Sequence, residues 1–347
     1  MKKELLMGTA LVSTLGAASV AEAVTATMSG NHQTGMEFDS PTGGTDTNAQ
    51  INDNNFSVSL SETTDGGMTI SSSFKVMDEN TKEDYDAGFT LAFTDGSKLD
   101  LLNAGNAAGG HAVSIPGSAG AEGVATTSTM HAPTGLDFMT GSTAFGLEYH
   151  TAADFLADGL KLSASYSTDS GAAAEATYRT DSHFAIGATY VTDLGDTALT
   201  IGAGISESDG STTGNSPTND TGGMHVGLSA VTGDLTVAVG FADGDVAGAS
   251  DENNEQYTGD VLKAGVKYVT GDLTFNVGVA QSTMKDVAIG NAPSGSDDSQ
   301  DVTSASVSYA VAAGVTAILG YTDVSASDEG LSSDDGSAWY IGANMSF

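Results

Sequence analysis

The chain has 347 residues, with 45 acidic and 10 basic side chains, a formal net charge of −35 and no cysteine. Phosphate recognition needs clustered Lys and Arg, so this balance excludes nucleic acid as a partner. The lack of cysteine excludes disulfides, thiolate metal sites and a cysteine nucleophile, and the 45 glycines argue against a mostly helical protein.

Residues 1–23 have the pattern of a secretory signal peptide. Lys2 and Lys3 precede a short apolar run, and Ala21 and Ala23 supply small residues at the cleavage site. We therefore expect cleavage after residue 23 and a mature domain over 24–347. No later stretch of the sequence contains the continuous run of about eighteen apolar residues that a membrane-spanning helix needs. An exported chain of this kind is expected to be either soluble or a closed β-barrel.

The segment 339–347 alternates between two kinds of residue. Its odd positions are apolar from Trp339 to Phe347, and its even positions are polar or small apart from Tyr340. A period of two is typical of a strand with one apolar face. The same period recurs along the chain and predicts sixteen strands, near 24–30, 54–61, 67–76, 85–94, 97–104, 142–150, 159–167, 183–192, 196–206, 222–231, 235–242, 257–269, 273–282, 302–311, 315–323 and 337–347.

An internal repeat supports an up-and-down arrangement of these strands. Residues 231–236 and 269–274 share the sequence Val-Thr-Gly-Asp-Leu-Thr, each between two alternating segments. Gly-Asp at such a point predicts a tight hairpin turn. All five prolines fall between the predicted strands. The segment 172–180 is open to two interpretations, as a loop or as an extra strand.

The fold predicted from this pattern is all-β. It is a sixteen-stranded antiparallel transmembrane β-barrel with short periplasmic turns and long outer loops. An even strand number and alternating short and long connections are typical of such barrels. The rows opposite the apolar ones hold Ser, Thr and Gly, and a barrel this wide encloses water. Seven charged residues share these polar rows and are predicted to line a channel: Lys75, Lys98, Asp100, Glu148, Lys161, Lys263 and Lys267.

The signal ending Ala21-Glu22-Ala23, the first strand 24–30 and the final strand ending in Phe347 resemble those of the Gram-negative general porin family, in particular alphaproteobacterial porins. The resemblance implies an outer-membrane location, a homotrimer in contact with lipid, and diffusion of small hydrophilic solutes. It also implies that the third long loop, 105–141, folds into the barrel and places Glu122 and Asp137 at a constriction. This chain departs from the family in having a single arginine, so a weaker field across the constriction is expected.

Histidines and acidic loops leave further alternatives. His111 and His131 lie in the third loop and His150 ends a strand, without a metal-ligand spacing, so solvated histidines and no resident metal are expected. No hydrolase motif is present, so no enzyme is expected. Acidic residues in three predicted loops suggest an acidic rim, with loosely bound Ca²⁺ as a lesser alternative: Asp243, Asp245, Asp251, Glu252 and Glu255; Asp297, Asp298 and Asp301; Asp328, Glu329, Asp334 and Asp335.

The function predicted from these observations is a diffusion channel of the outer membrane that prefers cations, because an acidic mouth concentrates them. The alternative is an outer-membrane barrel that displays acidic loops as a surface receptor or adhesin. A secreted calcium-binding β-solenoid is disfavoured, because its nine-residue Gly-Asp repeat is missing.

Overall fold

The computed structural model describes residues 24–42, 45–78, 88–102, 106–117, 146–168, 178–212, 221–250, 256–284, 298–327 and 335–347. The predicted signal segment 1–23 lies outside these residues, as do Glu122, Asp137 and His131. No helix within the described ranges has the length and apolar character needed to span a bilayer.

The described residues form sixteen strands and a 3-10 turn at Gly109–His111. The strands are β1 Thr25–Pro41, β2 Thr47–Thr63, β3 Thr69–Asp78, β4 Phe89–Ala92, β5 Lys98–Leu101, β6 Gly146–His150, β7 Leu160–Thr168, β8 Tyr178–Leu194, β9 Thr197–Thr212, β10 Thr221–Thr232, β11 Leu235–Ser250, β12 Gln256–Thr270, β13 Leu273–Met284, β14 Asp298–Ala312, β15 Val315–Ser327 and β16 Gly336–Ser346.

The sixteen strands close into one antiparallel barrel. Each strand pairs with its neighbours in sequence, and β1 pairs with β16. In the closing pair Phe38 lies opposite Trp339, and Asn31 lies opposite Ser346. The predicted fold class and strand number are therefore confirmed.

Tight turns join strands at one end of the barrel. β10 and β11 are joined by Gly233-Asp234, and β12 and β13 by Gly271-Asp272. Gly233 and Gly271 have φ of +57° and +59°, a left-handed conformation that glycine adopts without a Cβ penalty. The repeated sequence therefore marks one end of the barrel. The other end holds the longest connection, between β5 and β6, and we call it the long-loop end.

Several predicted boundaries are wrong. β1 and β2 extend as a hairpin through most of 31–53, a segment predicted as a loop. Pro41 is the last residue of β1 and lies opposite Gly336. A proline is tolerated at a strand end, where its missing N–H interrupts little of the ladder. Residues 178–180 begin β8, whereas 169–177 lie outside the described residues. Four acidic residues predicted in loops extend strands instead: Asp243, Asp245, Asp298 and Asp301.

The two faces of the barrel wall differ in side-chain size and in exposure. On β13 the large apolar side chains of Phe275, Val277 and Val279 are 41 to 53 % exposed. The alternate positions hold small residues, among them buried Ala280. Because residues 106–117 contact the rows of small residues from inside the barrel, the apolar rows face outward. A belt of outward apolar side chains is the arrangement expected of a barrel in a lipid bilayer.

Acidic residues border this belt toward the long-loop end. They take the next outward positions on β9, β11, β12, β14 and β15, directly beyond the last apolar or Thr residue of each row. In the β11–β12 pair two of these carboxylates lie directly opposite each other. We call this set the outer acidic band: Glu207, Asp243, Asp260, Asp301 and Asp323.

Candidate functional site

Residues 106–117, which belong to the predicted third loop, run along the inner wall of the barrel. Ala107 and Ala108 are fully buried there and pack with Ala185 of β8. Further along, Val113 approaches β10, and Gly117 lies beside β13 and β14. This segment, which we call the docked segment, therefore crosses the wall from β7 to β14. The inward folding predicted for loop 105–141 holds for the part that the structure describes.

Wall side chains bond the docked segment along its length. The backbone N–H of Ala107 donates to Ser165 Oγ at 3.0 Å, and His225 Nε2 donates to the carbonyl oxygen of Ala108 at 2.7 Å. At the far end Ser304 donates from its hydroxyl to the carbonyl oxygen of Gly117. These bonds satisfy backbone groups that are buried between the segment and the wall, so they hold the segment in place.

A groove of glycines lets the backbone of the docked segment approach the wall. A Cβ at Gly204 would lie 2.6 Å from Cα of Ala108, and one at Gly227 would lie 2.9 Å from Cβ of Val113. Cβ atoms essentially never lie this close to another atom, so a side chain at either glycine would force the segment or the wall to shift. The groove spans β8 to β12 and consists of Gly187, Gly202, Gly204, Gly227 and Gly265.

His111 anchors the docked segment at its 3-10 turn. Its side chain is buried, with Nδ1 2.6 Å from Thr189 Oγ1 and Nε2 2.8 Å from Ser163 Oγ. Burial lowers the pKa of His111 below its ordinary value, and His150, His225 and Lys161 lower it further through their positive charge. The expectation of a solvated loop histidine is wrong for His111, because the loop folds back onto the wall.

The seven described charged residues of the predicted lining lie on the inward rows. Lys75 is opposite Ser57, Lys98 opposite His150 and Lys161 opposite Thr189. Lys263 is buried, between Gly240 and Ala280. Lys267 borders a cavity of about 260 Å³ between the docked segment and β12 to β14, which is also lined by Ser114, Ile115, Pro116, Gly117, Asn276 and Ser306. Glu122 and Asp137 belong to the part of the loop outside the described residues.

Two residues of the predicted lining, Asp100 and Glu148, meet His150 at one place. Asp100 on β5 lies directly opposite Glu148 on β6, and His150 Nε2 is 2.8 Å from Asp100 Oδ2 and 3.7 Å from Glu148 Oε1. His150 Nδ1 is 2.8 Å from the same Ser163 Oγ that His111 contacts. Two histidines 39 positions apart along the chain are thus joined through one hydroxyl.

The sequence interpretation missed Ser163, Ser165, Thr189, His225 and Ser304, which hold the docked segment on the wall. Each lies on an inward row, where Ser and Thr are common and give no distinct signal. The glycine groove did leave a signal in the sequence, because Gly202 and Gly204 occupy alternate positions of a strand. Glycine in a strand interior often marks a close approach of another backbone.

Comparison with known proteins agrees with this architecture. Residues 8–329 match the family described as Gram-negative porin. No curated protein sequence matches the chain.

The fold also resembles solved structures of outer-membrane proteins and porins. The outer membrane channel DcaP of Acinetobacter baumannii has a TM-score of 0.66 and 12 % identity, with 93 % of this chain and 97 % of that chain covered. The anion-selective porin from Comamonas acidovorans has a TM-score of 0.64 and 11 % identity, with coverage of 93 % and 100 %. The trimer form of OmpT from Vibrio cholerae has a TM-score of 0.58 and 13 % identity, with coverage of 94 % and 100 %.

The closed barrel, the apolar belt and the segment docked on the inner wall therefore agree with the match over residues 8–329. The chain belongs to the Gram-negative porin family and is an outer-membrane channel protein.

Proposed function

We propose that the channel passes small hydrophilic solutes by passive diffusion. The observation that carries this proposal is the docked segment inside a sixteen-stranded barrel. Side chains cannot fill a barrel of this size, so its interior holds water. The docked segment lies along one side of the wall, from β7 to β14, and narrows the lumen. The proposal involves no chemical step.

We propose further that the channel prefers cations. The net charge of −35 and the acidic residues at the long-loop end raise the local concentration of cations and deplete anions, an effect that salt screens. Ca²⁺ held loosely by these acidic residues is part of the same proposal. The predicted lining residues Lys75, Lys98, Lys161, Lys263 and Lys267 oppose this preference, whereas Asp100 and Glu148 support it.

Reconstitution of the purified protein into a planar lipid bilayer tests both proposals. We expect discrete ohmic current steps, and in a salt gradient a reversal potential of the sign that cation preference produces. The preference is expected to decline as salt concentration rises. Anion preference would contradict the charge argument. Folded, inserted protein without current steps would contradict the diffusion channel and favour the receptor or adhesin.

A homotrimer is proposed from polar side chains on the outward face of β1 and β2. His32 bonds Asn54, and Thr34 Oγ1 donates to Asn52 Oδ1 at 2.8 Å. His32 lies opposite Met345, so the polar patch is level with the apolar belt. Polar groups facing hydrocarbon are costly, and contact with a second copy of the chain would cover them.

The trimer proposal predicts that the outward patch controls assembly. Thr34→Leu in detergent-extracted protein is expected to lower the temperature at which the oligomer dissociates, with the barrel itself still folded. Thr274→Leu, on the inward face of β13, is a control that leaves this surface unchanged. A monomeric wild-type protein in light scattering, or an unchanged dissociation temperature for Thr34→Leu, would contradict the proposal.

A further inference from the structure

Asp100, Glu148 and His150 form a cluster of three metal-ligand types on the inner wall. One ligand atom from each residue lies within 4.8 Å of the other two. They come from adjacent antiparallel strands, in which Asp100 is opposite Glu148 and His150 is two positions further along β6. Both strands are part of the closed barrel, so the backbone positions of all three residues are held by the sheet.

The cluster is shielded yet accessible from the lumen. The side chain of Glu148 is 7 % exposed, that of Asp100 is 14 % exposed and that of His150 is 24 % exposed. Like charges directly opposite each other on neighbouring strands repel. A bound cation between the carboxylates of Asp100 and Glu148 would relieve that repulsion.

Neighbouring hydroxyls orient the ligand groups. Thr90 donates from its hydroxyl to Oδ1 of Asp100, which leaves Oδ2 facing His150. His150 Nδ1 is bonded to Ser163 Oγ, which leaves Nε2 facing both carboxylates. Metal-bound histidines almost always have their second ring nitrogen bonded in this manner, which fixes ring orientation. The wall thus supplies both the ligands and their supports.

We propose that Asp100, Glu148 and His150 bind a divalent transition-metal cation of the Zn²⁺ type. Zn²⁺ accepts imidazole nitrogen and carboxylate oxygen together and commonly takes three protein ligands and a water. Ca²⁺ and Mg²⁺ prefer oxygen ligands alone, so the imidazole selects against them. Binding displaces the proton of Nε2, and the ion reaches the site through the lumen.

An ion at this site changes the channel beside the docked segment. The two positive charges of a bound Zn²⁺ would offset the negative charges of Asp100 and Glu148. The same region of the wall also carries Lys98 and Lys161. Cations passing this region then meet a net positive wall. Bound Zn²⁺ is therefore expected to reduce cation current. This consequence rests on the proposed function, whereas the binding itself does not.

Calorimetric titration of the full-length folded protein in detergent with ZnCl₂ tests the site. Excess Ca²⁺ in the buffer occupies the all-oxygen acidic sites. We expect one Zn²⁺ per chain, with affinity at least about tenfold weaker in His150→Gln and in Glu148→Gln. His183→Gln is the control, because it removes a buried imidazole of the inner wall that lies outside the cluster. Folding of each variant is verified by its heat-dependent mobility on a gel.

Equal Zn²⁺ affinity in wild type, His150→Gln and Glu148→Gln would overturn the proposal, as would a wild type that binds no Zn²⁺ under these conditions. Current recording in the bilayer is a separate measurement, in which Zn²⁺ is expected to reduce cation current in wild type and in His183→Gln but not in His150→Gln. Zn²⁺ binding by a protein that gives no current in the bilayer would support the metal site and overturn the proposed diffusion channel.

Discussion

His225 Nε2 donates a hydrogen bond of 2.7 Å to the carbonyl oxygen of Ala108, and the two residues are 117 positions apart. This bond joins β10 to the docked segment at a point where the segment backbone lies close to the wall. Directly beside it, Gly204 leaves the space that Ala108 occupies. Docking therefore depends on a polar bond and on a missing side chain at the same place.

A methyl group at Gly204 is expected to displace the docked segment. In Gly204→Ala the new Cβ would lie 2.6 Å from Cα of Ala108, and overpacking of this kind costs about 1–3 kcal/mol. Single-channel recording should show a larger or noisier conductance. Gly222→Ala on β10 is the matched control, because its nearest contact would be an ordinary 3.7 Å. The same conductance for Gly204→Ala and wild type would refute the role of the groove.

Acidification is expected to loosen the docked segment through His111. Burial holds the pKa of its side chain below the ordinary value, so the docked form disfavours the proton. The undocked form takes up the proton more readily. The contribution of His111 to the stability of the docked form is therefore fully present above about pH 6.5 and declines as the pH falls below that value. His150, His225 and Lys161 face the same ring, and their positive charge adds to the effect.

Conductance recorded from about pH 8 to about pH 5 checks this expectation, because histidine changes charge in that range. The conductance of the wild-type channel should become larger or noisier at acidic pH. His111→Gln keeps a hydrogen-bonding side chain that does not titrate, so its conductance should change less. Identical pH profiles for the two proteins would exclude His111 as the cause.

The charge of Lys267 is expected to affect ion selectivity. Lys267 lines the cavity between Pro116 of the docked segment and the inner wall. Lys267→Glu exchanges a positive for a negative charge there, so the reversal potential in a salt gradient should shift toward stronger cation preference. Asp323→Asn changes an outward-facing charge and should shift it less. A larger shift in Asp323→Asn than in Lys267→Glu would contradict a pore-lining role for Lys267.

Neutralising part of the outer acidic band is expected to stabilise the barrel. Asp243 and Asp260 lie directly opposite each other on β11 and β12, and opposed like charges on a sheet cost roughly 0.2–1 kcal/mol. Asp260→Asn should therefore raise the thermal unfolding temperature slightly at low salt, and less at high salt. Asp323→Asn, opposite Thr303, serves as control. A destabilised Asp260→Asn would show that the carboxylate has a favourable partner.

Much of the barrel was predictable because its two faces meet different solvents. Alternation located all sixteen strands, and the Gly-Asp repeat located two of the tight turns. The long hairpin of β1 and β2 was missed because its outward face carries polar residues such as His32 and Asn54, which interrupt the apolar row. The period of two is visible only where one face is consistently apolar.

The docked segment and the metal-ligand cluster were less accessible to sequence reasoning. His111 and His150 are joined through Ser163 only after β6 pairs with β7 and the loop folds inward. No local spacing expresses that combination of register and loop path. Asp100 and Glu148 were placed on the inward rows by parity alone, but their direct opposition depends on the register of β5 and β6.

The pairing of Gly30 with Phe347 constrains the order of folding. Each backbone N–H donates to the other residue's carbonyl oxygen at 3.1 Å, which completes the ring of strands across more than three hundred positions. Because contacts so distant in sequence form slowly, β1 and β16 remain exposed edges of the sheet until this pair forms. The chain therefore depends on protection from aggregation before it inserts, and variants that weaken this seam should accumulate as aggregates rather than as open sheets.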